Sequence, residues 1–291
     1  ILGQTYKNIE IVVVDDCSTD NSKSIIQSFT DKYPGIFSPV LLKKNVGVAR
    51  ARHEGVLNAK GQYLTTLDAD DYFADNKKLE IEIALCQQYQ KTNNRQCISF
   101  SNIIILNSEG KFYNIGENSV IVQGNILNQI MARNCMIPRD FLFTKDMYFN
   151  VGGYDYRFPI YEDWDLKIRL AANYPFHYTG INGIIYRRHG VGLSNASSIK
   201  HIKVTKQIFN KNQKLLLPND RKKTYSEFHK FIEKHKSKLV KSYVSSIVYY
   251  RNKKDYYKMI VNYLKLVKLD ISYINVKKLT SLANNNKNEY K

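Results

Sequence analysis

Gln62-Tyr63-Leu64-Thr65-Thr66-Leu67-Asp68-Ala69-Asp70-Asp71 is the stretch from which the rest of this chain is read. Its apolar part, residues 63–67, is predicted as a strand that runs straight into three carboxylates. Such acids repel one another, and buried acids are rare unless paired or bound to a metal. A divalent cation removes the conflict, because hard cations take oxygen ligands. Asp68 and Asp70, two apart on an extended segment, would point the same way. The stretch is a candidate for holding a metal-bound phosphate, with a plain acidic loop as the alternative.

Around it, strands and helices alternate. Residues 9–14 (IEIVVV) form a short β-branched run ending in Asp15-Asp16, as a buried parallel strand would. Ser18-Thr19-Asp20-Asn21 supplies N-cap chemistry for a helix over 22–32. A strand over 39–42, a helix over 48–59 stopped by Gly61, a helix over 76–90 and a strand over 98–106 follow. This order implies a largely parallel sheet with helices on its faces. Residues 110–150 are harder to read, with shorter strands and a helix near 125–133. A helix is expected over 162–173 and an edge strand over 184–188.

Charge divides the chain. The net charge is +18. Residues 1–199 hold 21 Lys/Arg and 20 Asp/Glu, whereas residues 200–291 hold 23 and 6. The basicity therefore lies in the last third, which marks a boundary between a domain at 1–199 and a helical extension at 200–291. In the extension, Tyr225, Phe228, Ile232, Leu239, Tyr243 and Ile247 fall at helical spacing, as do Tyr257, Ile260, Leu264, Val267 and Ile271. The tail 284–291 is polar and expected to fray.

Cys17, Cys86, Cys97 and Cys135 show no C-x-x-C spacing, and they read as reduced thiols of a cytoplasmic protein. No apolar run approaches the ~18–20 residues that span a bilayer, and no signal peptide is evident. The chain starts at Ile1, inside what reads as a helix end, so a preceding piece is expected to be missing.

Four constellations carry chemistry. Val14-Asp15-Asp16-Cys17-Ser18-Thr19-Asp20 follows a strand, where an acid accepts hydrogen bonds from a base or ribose or simply caps a turn. Asn45-Val46-Gly47 leads to Arg50 and Arg52 at a helix start, facing a diphosphate or solvent. The acidic cluster is the third. Gly152-Gly153-Tyr154-Asp155 and Tyr161-Glu162-Asp163-Trp164-Asp165-Leu166 form the fourth. There the helix dipole favours ionised acids, and plain N-capping by Asp163 is the alternative. Ligands of open α/β sheets bind beyond the carboxyl ends of strands, so these sites are expected to converge. No G-x-G-x-x-G or P-loop motif is present.

Taken in order, these segments, with Gln4-Thr5-Tyr6-Lys7-Asn8-Ile9-Glu10 at the front, resemble family 2 glycosyltransferases of the GT-A fold over about residues 1–195. The resemblance implies a nucleotide-diphospho-sugar transferase fold, a mostly parallel mixed sheet flanked by helices. It also implies roles. Asp15 and Asp16 would meet the donor's base, and Arg52 the base or diphosphate. Asp68 and Asp70 would form a D-x-D motif in the donor site, with Asp70 on Mg²⁺ or Mn²⁺ and Asp68 near the ribose or the metal. Asp163 would be the catalytic base with Glu162 beside it, and His189 a further metal contact. Gly153, Tyr154, Asp155 and Trp164 would lie on the acceptor side. His53 stands where Asn is usual, and the family's first strand is absent. That absence implies weak folding or donor binding for this segment alone.

The implied reaction is single-displacement, inverting transfer from a nucleotide-diphosphate sugar, a UDP-sugar by expectation, to a hydroxyl of a glycan or lipid-linked acceptor. The basic extension suits the cytoplasmic face of an anionic membrane. A solvated helical face is the plainer reading of the same lysines. An anion- or nucleic-acid-binding protein acting through that tail is the alternative from another class, although no nucleic-acid motif supports it and no nucleic acid is expected as a partner. A catalytically degenerate transferase is the third reading, opposed by the intact Asp68, Asp70 and Asp163.

Overall fold

The computed structural model describes residues 1–114, 121–188 and 198–269. Strand β1 (Ile11–Asp15), helix α1 (Ser22–Lys32) and strand β2 (Phe37–Leu41) form the first unit, with β1 and β2 parallel from Ile11/Phe37 to Asp15/Leu41. Helix α2 (Val48–Asn58) packs on β1 and leads to β3 (Tyr63–Leu64) and β4 (Tyr72–Phe73). Helix α3 (Lys78–Asn93), β5 (Ile98–Leu106) and β6 (Phe112–Asn114) follow. Then come α4 (Leu127–Ala132), β7 (Phe143–Thr144), α5 (Lys145–Asn150), α6 (Glu162–Ala171) and β8 (Phe176–Arg187). The chain closes on helices α7 (Ser198–Asn212), α8 (Pro218–Asn252) and α9 (Tyr256–Leu269).

The main sheet runs β4-β8-β5-β6. The two long pairings, β1/β2 and β5/β8, are parallel, while β3/β7, β4/β8 and β5/β6 are short and antiparallel. The sheet is thus mixed, with parallel pairing dominant. Two expectations change. The segment 184–188 is no edge strand but the end of the twelve-residue β8, which lies between β4 and β5. Register shifts between Phe100 and Ile103 and glycines at 180 and 183 hide its period in the sequence. The expected strand over 63–67 keeps ladder pairing only at Tyr63 and Leu64. Beyond them, the Thr65 and Thr66 hydroxyls donate to the Asp140 and Arg139 carbonyls (3.1 and 3.2 Å), so side chains hold this stretch in place of a ladder.

The N-terminal Gln4–Glu10 segment acts as a staple. Gln4, buried, donates through its amide to the Asp75 carbonyl (2.7 Å) and accepts from the Leu79 N–H (3.0 Å) at the start of α3. A Glu10 carboxylate oxygen accepts from the N–H groups of Lys60 and Gly61 (2.5 and 2.6 Å), which turns the chain from α2 into β3. Both contacts set the ends of the loop that carries the acids.

One core cluster joins the sheet, α6 and the first two helices of the extension. It includes Phe141, Tyr148, Trp164, Leu166 and Phe176 together with Ile208, Phe209, Phe228 and Ile232. The rings of Phe209 and Phe228 stack with centroids 4.1 Å apart, and Phe228 stacks on Trp164 at 6.4 Å. Composition changes near residue 200, yet the packing runs across that point. On α9, Leu266 packs with Val240 and Val244 of α8, whereas Tyr257, Ile260 and Leu264 are exposed. Ile271 and residues 284–291 lie outside the described residues.

Candidate active site

The three acids are gathered by a turn and not by strand alternation. The Asp71 N–H donates to the Asp68 carbonyl (3.0 Å), and carboxylate oxygens of Asp68, Asp70 and Asp71 lie within 4.8 Å of one another. The extended geometry expected for Asp68 and Asp70 is therefore replaced by a tight turn. Asp71 is buried, accepts from the Arg187 N–H (2.9 Å) and pairs with Arg139; burial nonetheless pushes its carboxyl upward. Asp68 pairs with Arg52 (2.7 Å) and with Arg139 Nε (3.2 Å). Asp70 is exposed, and its carbonyl accepts from Arg187 Nε.

Behind the turn lies a buried carboxyl the sequence reading did not single out. Asp140 Oδ2 accepts from the Tyr186 hydroxyl (2.6 Å), while its buried Oδ1 has no hydrogen-bond partner among the described residues. Burial pushes Asp140 up to about 7, against the pull of Arg139. The Arg139 guanidinium stacks over the Tyr186 ring, 4.4 Å from its centroid.

Arg52 joins this turn to α6. One nitrogen meets Asp68, and the other donates to Glu162 at the first turn of α6. Glu162 is buried, and that burial, with Asp163 next to it, raises its carboxyl despite Arg52. Asp163 behaves oppositely. Burial would raise it, but Lys167 Nζ at 2.8 Å, then Arg52 and Arg133, hold it at about 2. Lys167 is itself oriented by the Ile137 carbonyl (2.9 Å). Asp163 is therefore a carboxylate kept ionised by Lys167, next in sequence to the Glu162 that Arg52 holds.

Asp16 accepts from the N–H groups of Val46 and Gly47 (2.7 and 2.8 Å), anchoring the loop from which α2 and Arg52 start. Asp15 is buried and accepts from the Ser18 N–H (3.3 Å), the capped-turn arrangement. Arg50 lies over the Tyr156 ring, 4.9 Å from its centroid.

The glycine loop is held from below. Gly153 has φ +63, and a Cβ there would come 2.8 Å from the Tyr148 ring, so only glycine fits. The Tyr148 hydroxyl accepts from the Tyr154 N–H (3.0 Å) and meets His53 Nδ1 (2.8 Å), which links α2 to the loop. Tyr154 is buried. Asp155 is held well below the usual carboxylate range, chiefly by Arg157 and also by Lys211 (2.8 Å). Trp164 faces the core, with its indole N–H donating to the Ile130 carbonyl (2.9 Å) and Arg133 over its ring at 4.7 Å. His189 lies outside the described residues.

Arg139, Arg187, Asp140, Tyr186 and Lys167 were not picked out in the sequence. Lys167 had a signal, being one helical turn beyond Asp163. Arg139 and Asp140 had none, because they fall in the stretch of least regular pattern.

The model of glycosyl transferase family 2 matches residues 1–103 of this chain, the family that the motifs resemble. An uncharacterized protein of Mycobacterium tuberculosis (H37Rv) is 25% identical over 195 residues, 64% of this chain and 51% of its own length. Glycosyltransferase GlyG of Streptococcus pneumoniae serotype 4 is 39% identical over 119 residues, 40% of this chain and 34% of that one. The chain thus spans about half the length of the first of these relatives and less of the second. S. aureus TarS 1–349, solved in complex with UDP, aligns with a TM-score of 0.54 at 15% identity, covering 93% of this chain and 84% of that one. The fold is therefore of the TarS type, mixed α/β with a helical C-terminal region, the GT-A architecture expected from the resemblance.

Proposed function

We propose that the protein is an inverting glycosyltransferase that moves a sugar from a nucleotide-diphosphate donor to a hydroxyl of a glycan or lipid-linked acceptor. The observation that carries this reading is the Arg52 bridge, which ties the acidic turn at Asp68 to Glu162 in the first turn of α6, the residue before Asp163. Donor machinery thereby adjoins the base. UDP bound to TarS makes a UDP-sugar the first donor to test.

The residues fit a divalent cation. Asp68, Asp70 and Asp71 offer hard oxygen donors on one turn, with ligand atoms within 4.8 Å, and Asp70 is the most exposed of them. Asp70 and Asp68 would hold Mg²⁺ or Mn²⁺, whose charge, when bound, would offset that of a diphosphate leaving group. Arg52 and Arg139 stand beside the same turn and supply further positive charge to the diphosphate. Asp16 fixes the loop bordering the base and ribose. Asp163, ionised, takes the proton from the acceptor hydroxyl while that oxygen attacks the anomeric carbon and the diphosphate leaves from the opposite face. One displacement inverts the configuration. Lys167 keeps the base ionised and aimed.

On this reading the acceptor lies along Gly153, Tyr154 and Asp155, and Trp164 acts by supporting α6 from beneath. The described residues contain no helix long and apolar enough to cross a membrane. The four free cysteines suit a reducing compartment, and we place the reaction in the cytoplasm, next to the membrane. The test is a screen of nucleotide sugars for metal-dependent thermal stabilisation and for transfer. A shift with one donor that disappears in EDTA supports the reading. Failure of every donor, in chain otherwise folded, counts against it.

A further inference from the structure

Helix α9 carries an apolar face that no described residue covers. Tyr256, Tyr257, Ile260 and Leu264 are 58%, 78%, 51% and 60% exposed. At 100° per residue these four span one continuous arc of about a third of the helix. Leu266, about 80° round the helix from Tyr256, is fully buried against Val240 and Val244 of α8, so the helix is docked by that side and the apolar arc is left uncovered among the described residues. Exposed Lys258, Lys265 and Lys268 occupy the arc next to the apolar one; α9 itself contains no acid, and Asp255 just before it pairs with Lys258 (3.1 Å).

An aromatic and aliphatic stripe bordered by lysines is the pattern of a helix lying in a bilayer interface. We infer that this face of α9 seats the enzyme on an anionic lipid surface, with Tyr257, Ile260 and Leu264 entering the headgroup boundary and the lysines meeting lipid phosphates. Charge decides between occupants. Residues 200–291 hold 23 Lys/Arg and 6 Asp/Glu, so a second copy would bring like charge to this face, while an anionic leaflet brings the opposite. The inference deepens the functional reading above, since an acceptor carried on lipid would be met at this surface.

The experiment is co-sedimentation of the full chain with phosphatidylcholine vesicles and with vesicles rich in phosphatidylglycerol. It needs no turnover, so its failure is separable from failure of the transferase reading. Binding is expected only to the anionic vesicles and should weaken as salt rises. The double variant Ile260→Glu/Leu264→Glu should lose about tenfold or more in binding. Lys265→Gln and Lys268→Gln should each lose about fivefold. All of these positions are exposed, and unchanged thermal melting of the variants checks the fold. Failure of wild type to bind anionic vesicles at low salt overturns the inference. So does undiminished binding by both sets of variants, or a dimer that the Glu variant dissolves while vesicle binding persists.

Discussion

Arg52 Nη2 stands 2.7 Å from Asp68 Oδ1 while Nη1 of the same guanidinium donates to Glu162, so one side chain on α2 couples the acidic turn to the start of α6. Removing it leaves the buried Glu162 short of a counter-ion, while Asp68 keeps Arg139 at 3.2 Å. Arg52→Ala should lower stability by roughly 3–5 kcal/mol, the range for breaking a buried pair. Arg52→Lys should not restore activity, because an ammonium is a point donor without the fork that spans two carboxylates. Denaturant melts and donor titrations of the two variants check this.

Asp163→Asn should cost ~10²–10⁴-fold in transfer while donor binding persists, as expected for loss of a general base. Near-normal turnover by this variant would remove Asp163 from the role. Because Lys167 holds Asp163 at about 2, its ionisation should not set the acid limb of the rate profile near neutrality. Its contribution to stability is complete above the unfolded carboxyl value and falls away as pH drops toward 2.

The acids of the turn should separate by their surroundings. Asp70→Asn should leave the melting temperature nearly unchanged, since the carboxylate is exposed, but weaken metal-dependent donor binding. Asp71→Asn should instead lower the melting temperature, because that carboxylate accepts from the Arg187 N–H and pairs with Arg139. Equal melting losses in both variants would contradict the division of labour.

Asp140 gives a pH signature of the opposite sign. With its folded value up at about 7, the native state holds a proton that the unfolded chain has released. Stability from this group therefore falls as pH rises from about 4 to about 7, and is flat above that. Asp140→Asn should flatten the slope of melting temperature against pH in that window, measured by calorimetry at constant ionic strength.

Gly153→Ala should be far more damaging than Gly152→Ala. Both glycines have positive φ, which costs an alanine ~1–2 kcal/mol at either place. Only at Gly153 would the added Cβ strike the Tyr148 ring, at 2.8 Å, displacing the hydroxyl that holds Tyr154 and His53. Stability and activity of the paired variants decide it.

Much of the fold was legible because local signals were strong. The apolar strand Ile98–Leu106 and the helix Ser22–Lys32 stand where their patterns put them, the β-branched run expected over 9–14 forms Ile11–Asp15, and Asn21 makes no side-chain capping bond. β8 was legible only at its end, because its register shifts and glycines break alternation. Asp68 and Asp70 were found as a pair, but the turn that gathers them depends on Thr65, Thr66 and residues 139–140, far along the chain. Arg139 and Asp140 could not be found by pattern, since their meaning comes from Asp68, Asp71 and Tyr186 meeting them in space. The Gln4–Glu10 segment was noticed as a motif, while its work as a staple appears only once α3 and Gly61 are beside it.

Phe228 lies on a helix rich in lysine and yet stacks on Trp164, one residue from Asp163. The two faces of α8 therefore answer to different demands. Its outward lysines can drift with whatever the protein touches, whereas Thr224, Phe228 and Ile232 are held to the shape of the chemistry's own foundation. A tail swapped between relatives would have to carry those inward positions with it, or arrive with a loosened base.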